Sequence, residues 1–545
     1  MSTFVISGQL IDVFRRKIYP AMLSVDRGII THIVEVDHAP PHHILPGFVD
    51  AHIHIESSML VPTEFARLAS IHGTVATVSD PHEIANVCGE DGVAYMIANA
   101  RNTAFKFFFG APSCVPATGF ETAGATIDAD GISRLMQNPD IWYLAEVMNY
   151  PGVLHADEQV IAKLAAAKKS GKPIDGHAPG LKGQEAARYA AAGITTDHEC
   201  FTLEEALDKI AAGMKILIRE GSAAKNFDAL HPLLRSHPGS VMLCSDDKHP
   251  DELVLHHLNE TVKRALKLGY NLYDVLRAAC VHPVWHYNLP VGLLREHEPA
   301  DFIVIDDPEH FNILKTYING ELVAENGQSL LKRENPEPIN TFNCRPREAK
   351  DFRIPVTDST ARIRVIEAIE GQLITNEVTA TGKQEDGAWI ADTEQDILKI
   401  AVVNRYEPGL PIATAFIRNF GLKKGALAST VAHDCHNIVA VGATDDELCR
   451  AVNALIDARG GISVVDGAAV TCMPLPIAGL MSGEDGYAVA EQYAALDKQA
   501  KELGTTLKSP FMTLSFMALL VIPSLKLSDR GLFNGNTFSF TTVEL

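Results

Sequence analysis

The sequence predicts an α/β fold: a (β/α)8 TIM barrel inserted in a small β-sandwich, with a C-terminal α/β domain behind it. Three observations carry this. Between Gly47 and Asp247, eight short β-like runs alternate with helical patterns. Imidazole and carboxylate side chains recur at the C-terminal ends of those runs. Further β-like segments stand on either side of the alternating region.

The eight runs are FVDAHIHI, TVATVSD, KFFFGA, WYLAEVMN, PIDGHA, GITTDHE, KILIREG and SVMLCSD. Between them lie stretches such as DEQVIAKLAAAKKSG and LKGQEAARYAAAG, rich in strong helix formers and closed by glycine. Strands alternating with helices imply parallel pairing through right-handed crossovers, and eight such units are the count of a barrel. Residues 47–295 are assigned to it. FVISGQLID and RGIITHIVEV before the barrel match ADFIVIDDP and ILKTYINGELVAENG after it, so residues 1–46 and 296–335 read as one β-sandwich. The Pro-rich, charged run NPEPINTFNCRPREAKDF is a linker, and residues 345–545 form a further α/β-type domain whose topology the pattern does not supply.

At 545 residues the chain exceeds one hydrophobic core. A net charge of −21 argues against a nucleic-acid or anionic-membrane partner, both of which require basic patches. Nine scattered cysteines with no CxxC spacing suit a reducing compartment. MSTFVISGQLIDVFRRK lacks the apolar stretch of a secretory signal, so a cytoplasmic location is expected. FMTLSFMALLVIPSLKL is interrupted by Pro523 and Lys526 and reads as core, not as a membrane span.

The chemistry begins with PGFVDAHIHIE. Side chains alternate along a strand, so His52 and His54 share one face. His52, His54, Asp80, Glu146, His177, His198 and Asp246 all fall at predicted strand ends, the face of a barrel that carries active sites. Histidine and carboxylate without cysteine suit zinc, manganese or iron. His52 and His54 are expected to hold one ion and His177 and His198 a second. Glu146 would bridge the two, and Asp246 would ligate the first ion and face a bridging water. Two close cations bring the pKa of such a water towards neutrality.

On these residues the chain resembles the amidohydrolase superfamily, whose pattern is HxH on strand one, an acid or carboxylated lysine on strand four, histidines on strands five and six, and aspartate on strand eight. Glu146 stands where hydantoinase-like members carry lysine. PGFVDAHIHIESSML, SDPHEIANV, DGHAPGL, TTDHE, CSDDKHP, VAHDCHNIVAVG and PLPIAGLMS narrow the resemblance to the bacterial adenine deaminase branch, over nearly the full chain. The resemblance implies hydrolysis of adenine to hypoxanthine and ammonia in purine salvage, with a binuclear Mn2+ or Fe2+ centre and Zn2+ as the alternative. Its small-molecule partner would be a purine, and barrels of this kind often pair, so a homo-oligomer is expected. The PCxxC signature of the zinc nucleobase deaminases is absent.

In the implied mechanism, hydroxide between the ions attacks C6 while Asp246 takes its proton and passes it to the departing amine, or acts as a ligand alone. Charge building on the ring nitrogen calls for a donor, with Glu83 (as a neutral acid raised by burial) and His82 as candidates. Helix-dipole stabilisation is the structural alternative for Glu83 and an N-cap the alternative for Asp80, which otherwise orients His82 or contacts the base. Arg219 is placed to reach the substrate or to form a rim salt bridge. Glu199 and Asp247 are expected to point away from the site. His433 and His436 read as part of a loop closing the barrel mouth, or as an inert turn. Two rivals stay open: an amide-cleaving relative (an N-acetyl sugar deacetylase or dihydroorotase-like enzyme), and a non-catalytic scaffold that keeps metal for folding.

Overall fold

The computed structural model describes residues 3–222 and 224–545. Eight barrel strands follow the predicted runs: β1 (Phe48–His54), β2 (Thr74–Ser79), β3 (Lys106–Ala111), β4 (Ile141–Val147), β5 (Ile174–Gly176), β6 (Thr196–Asp197), β7 (Lys215–Arg219) and β8 (Val241–Cys244). Neighbours pair in parallel from β1 to β5 and from β6 to β8. One seam is made by Thr195 N–H donating to Ile174 O at 2.9 Å. At the other, Asp246 and Asp247 pair with Ile53 and His54 at the end of β1. Every residue of β1 and β2 is buried, as expected of strands covered on both faces.

The β1–β8 seam is reinforced below the mouth by a buried polar network. Asp50 accepts from the backbone N–H of Ser245 at 3.0 Å and lies 2.9 Å from His257 Nε2, while Thr74 Oγ1 lies 2.6 Å from His257 Nδ1. Each member is inside the protein and paired, which is what buried polar groups require.

The segments flanking the barrel join into one eight-stranded sheet. The join is His43–Pro46, parallel to Phe4–Asp12 on one edge and antiparallel to Phe302–Ile305 on the other. Along Lys17–Asp26, alternate residues Ala21, Leu23 and Val25 turn inward onto Leu10, Ile44, Phe302 and Val304. Residues 332–348 carry no regular secondary structure.

The C-terminal region is built on a second eight-stranded sheet, antiparallel except where Arg362–Ala368 lies beside Ala413–Arg418. The helix Asp445–Ala458 starts at Thr444, whose hydroxyl caps Glu447 N–H, with three acids in the first turn. Its Leu448, Ala451, Val452 and Leu455 recur at helical spacing and bury against Ala426, Ala428, Ala440 and Val465 of the sheet. FMTLSFMALLVIPSLKL is buried and broken into the helix Pro510–Ser515, a turn and the strand Leu525–Ser528. Among the described residues, no helix is long and apolar enough to cross a membrane.

Candidate metal centre

His52 and His54 project together from β1, with their Nε2 atoms 3.2 Å apart. His54 Nδ1 lies 3.2 Å from the Asp80 carbonyl oxygen, so Nδ1 carries the proton and the Nε2 lone pair faces the centre. Asp246 Oδ1 is 3.3 Å from His54 Nε2 and 3.8 Å from His52 Nε2. Across the mouth, Glu146 at the end of β4 places Oε2 2.7 Å from His177 Nδ1 and 3.1 Å from His198 Nε2. Its other oxygen, Oε1, is 3.4 Å from His54 Nε2. One carboxylate thus faces two imidazole groups, one through each oxygen.

This donor set suits divalent cations. The ligand atoms of His52, His54 and Asp246 lie within 4.8 Å of one another, as do those of His177, His198 and Glu199 and those of His52, Glu146 and His198. Both ring nitrogens of His82, Nδ1 of His52 and Nε2 of His177 are buried without a hydrogen-bond partner. Burial lowers His52 well below its ordinary range, and the neighbouring imidazoles add to this, keeping it neutral as a ligand must be. It also lowers His54, His177 and His198, but the carboxylates of Glu146, Asp246 and Glu199 outweigh it and raise all three, His198 up to about 9. Burial pushes Glu146 up, yet His177, His198 and His54 outweigh it and hold the carboxyl well below the usual range. Asp246 is likewise held down, by Arg219 and His54 against burial. Anionic oxygens and imidazole nitrogens packed this closely require positive charge among them, and oxygen and nitrogen donors without sulfur match manganese, iron or zinc.

Several neighbours differ from the sequence expectation. Glu199 does not point away: Oε1 lies 3.7 Å from His177 Nδ1 and 3.6 Å from His198 Nε2. The strand-alternation rule does not reach it, because β6 ends at Asp197. Asp247 also faces the cavity, since Asp246 takes a left-handed backbone (φ 55°) that breaks alternation. Arg219 lines the same cavity, and its partners there are buried acids and not a salt bridge at the rim. Its buried guanidinium donates to both oxygens of Glu199 and to Asp246, because β7 lies between β6 and β8 and both acids sit at those ends. Asp80 accepts from the backbone N–H of His82 at 3.0 Å, which places its carboxylate 3.2 Å from the ring Nδ1.

Glu83 opens the helix His82–Ala100, and both its carboxylate oxygens are engaged from the C-terminal domain: His433 Nδ1 on Oε1 and His436 Nε2 on Oε2. Burial pushes Glu83 up, but His433, His436 and His82 outweigh it and hold the group well below its ordinary value. The neutral-acid form expected from burial alone is therefore not the favoured one, because two imidazoles some 350 residues away supply compensating donors. With Asp434, Leu373, Phe516 and Leu519, His433 covers the mouth. VAHDCHN marked these histidines in the sequence; nothing in it marked Glu83 as their partner.

Residues 43–323 match the amidohydrolase family, and the chain belongs to that family. Residues 372–539 match the adenine deaminase C-terminal domain. Over 541 residues the chain is 55% identical to an adenine deaminase of Salinibacter ruber, covering 99% of this chain and 98% of that protein. It is 51% identical to one of Methanosarcina barkeri over 545 residues, covering 99% and 98%. Against one of Borreliella burgdorferi it is 48% identical over 547 residues, covering 99% and 100%.

Proposed function

We propose that the protein hydrolyses adenine to hypoxanthine and ammonia, a step of purine salvage. The observation that supports this most is likeness to adenine deaminases through both domains, 55% identity over 99% of the chain. In the reaction the oxygen of water bonds to C6, the C6–N bond breaks, and the exocyclic nitrogen leaves as ammonia. His52, His54 and Asp246 would hold one divalent cation and His177 and His198 the other, with Glu146 shared; manganese or iron is the proposed metal. Such ions supply Lewis acidity that makes water nucleophilic near neutral pH.

The protein's own groups do the rest. Arg219 keeps Asp246 ionised, the form that both a ligand and a proton acceptor require. From there Asp246 takes a proton from the attacking water and returns it to the leaving amine. The Asp80 carboxylate stands beside His82, whose ring lies between Glu146 and Glu83. Glu199 steadies the guanidinium and adds an oxygen beside His177 and His198.

The test is loss of adenine absorbance with stoichiometric ammonia release by protein grown with manganese. Glu146→Gln should lose bound metal, measured by elemental analysis, and reduce the rate by about 10²-fold or more. Adenine untouched by metal-replete protein, with amides cleaved in its place, overturns the reading in favour of an amide-cleaving relative.

A further inference from the structure

The turn Val431–Asn437 brings C-terminal-domain histidines to the centre. His436 Nδ1 accepts from Ala432 N–H at 3.1 Å, so its proton resides on Nε2 and is donated to Glu83. Glu83, engaged on both oxygens, accepts a hydrogen bond from the Nδ1–H of His433 as well. His433 is thus fixed in orientation. Its ring stacks on Phe516 with centroids 4.5 Å apart and planes at 12°, and its backbone N–H donates to Ser515 O at 2.9 Å. What remains is Nε2: buried, without a partner, on a residue that lines the same cavity as His54, Glu146, His177 and Asp246.

Resting on the purine reading above, we propose that His433 contacts the substrate. Its Nε2 donates a hydrogen bond to the ring nitrogen next to the carbon under attack, and His436 is a positioning residue acting through Glu83. Attack at C6 moves charge onto that nitrogen, and a preorganised donor in a dry site stabilises the transition state more than the ground state. Donation from both nitrogens requires the imidazolium. Burial lowers His433, but Glu83 and Asp247 outweigh it and bring the group up to about 9. The cavity of ≈ 20 Å³ has room for a water but not for a purine. Leu373 and Leu519 line it with apolar side chains, so a purine enters only if the lining gives way, while the carboxylate of Glu83 holds His433. On this account the barrel alone is an incomplete site.

Two substitutions separate this role from plain docking. His433→Asn keeps an N–H where Nδ1 meets Glu83 and deletes the Nε2 edge; His433→Gln does the reverse. Turnover of adenine by H433N should fall about 10²–10³-fold in kcat, with melting temperature and metal content as in the unsubstituted protein, and H433Q should recover part of the loss. His436→Gln, which still offers an N–H to Glu83, should retain more activity than His436→Ala. An H433N enzyme within threefold of wild type, or one better than H433Q, overturns the proposal and leaves His433 a docking residue. If the unsubstituted protein leaves adenine untouched, the purine reading fails first and this contact fails with it.

Discussion

A lysine ammonium buried away from any carboxylate is destabilised by the loss of water, and Lys526 is such a group. Its Nζ donates to the carbonyls of Leu373 at 2.6 Å and Phe516 at 2.9 Å, two residues that cover the metal centre. A neutral amine has two N–H donors for those two acceptors, and burial lowers the group to about 7. The sign follows from linkage. Below about pH 7 the lysine is charged in both folded and unfolded chains, and the full penalty is present. Between about 7 and about 10.4 the unfolded chain binds the proton that the folded one has lost, so this group adds stability as pH rises, by up to ~1.4 kcal/mol per pH unit. Comparing Lys526→Met with wild type by urea denaturation from pH 6.5 to 9.5 should show wild type gaining on the variant throughout. A pH-independent difference contradicts the assignment. At this same scale, His52, His54, Glu146, His177, His198 and Asp246 were legible because residue type and strand-end position together suffice. Glu199 and Asp247 were not, because alternation governs only residues with extended backbone and both lie past the regular strand.

Elements hold the candidate ligands through connections the individual strands do not contain. Lys209, on the helix Leu203–Ala211 that follows β6, is fully buried and donates to Ala178 O at 2.7 Å and Glu205 Oε1 at 2.8 Å. It also stands 3.0 Å from Asp197 Oδ2, which in turn accepts Ala178 N–H at 3.0 Å. The loop leaving β5, which carries His177, is thereby tied to the end of β6, which precedes His198. Removing the cation leaves two buried carboxylates uncompensated, a change that costs about 3–5 kcal/mol. Lys209→Met should lower the unfolding free energy by that amount in urea, and a loss under 1 kcal/mol would show the network to be incidental. A helix between the sixth and seventh strands follows from the alternation read in the sequence. That its lysine turns inward depends on Asp197 and Glu205 closing around it, which no local pattern reports.

Over the whole molecule, barrel and C-terminal domain share an apolar core: Leu60, Leu68 and Val61 of the barrel side belong to one buried cluster with Leu480, Met481 and Val489. Backbone bonds cross the boundary as well, Ser482 N–H to Met59 O at 2.8 Å and Val61 N–H to Ser482 O at 3.3 Å, and Arg67 pairs with both Glu64 and Asp485. A large apolar interface couples domains that would otherwise move independently. Calorimetry should therefore register one transition for both parts, and a C-terminal region melting separately would contradict this. The sequence by itself determined the barrel and which imidazoles and carboxylates stand at its mouth, because strand period, helix composition and ligand chemistry are local properties written at fixed spacings. Only the tertiary structure decided which acids turn inward past the strand ends, that Arg219 is spent on Asp246 and Glu199, and that Glu83 is met by His433 and His436. The last of these joins residues some 350 positions apart and follows from how two domains pack. The others follow from backbone past the strand ends and from which strands are neighbours, matters on which spacing along the chain is silent.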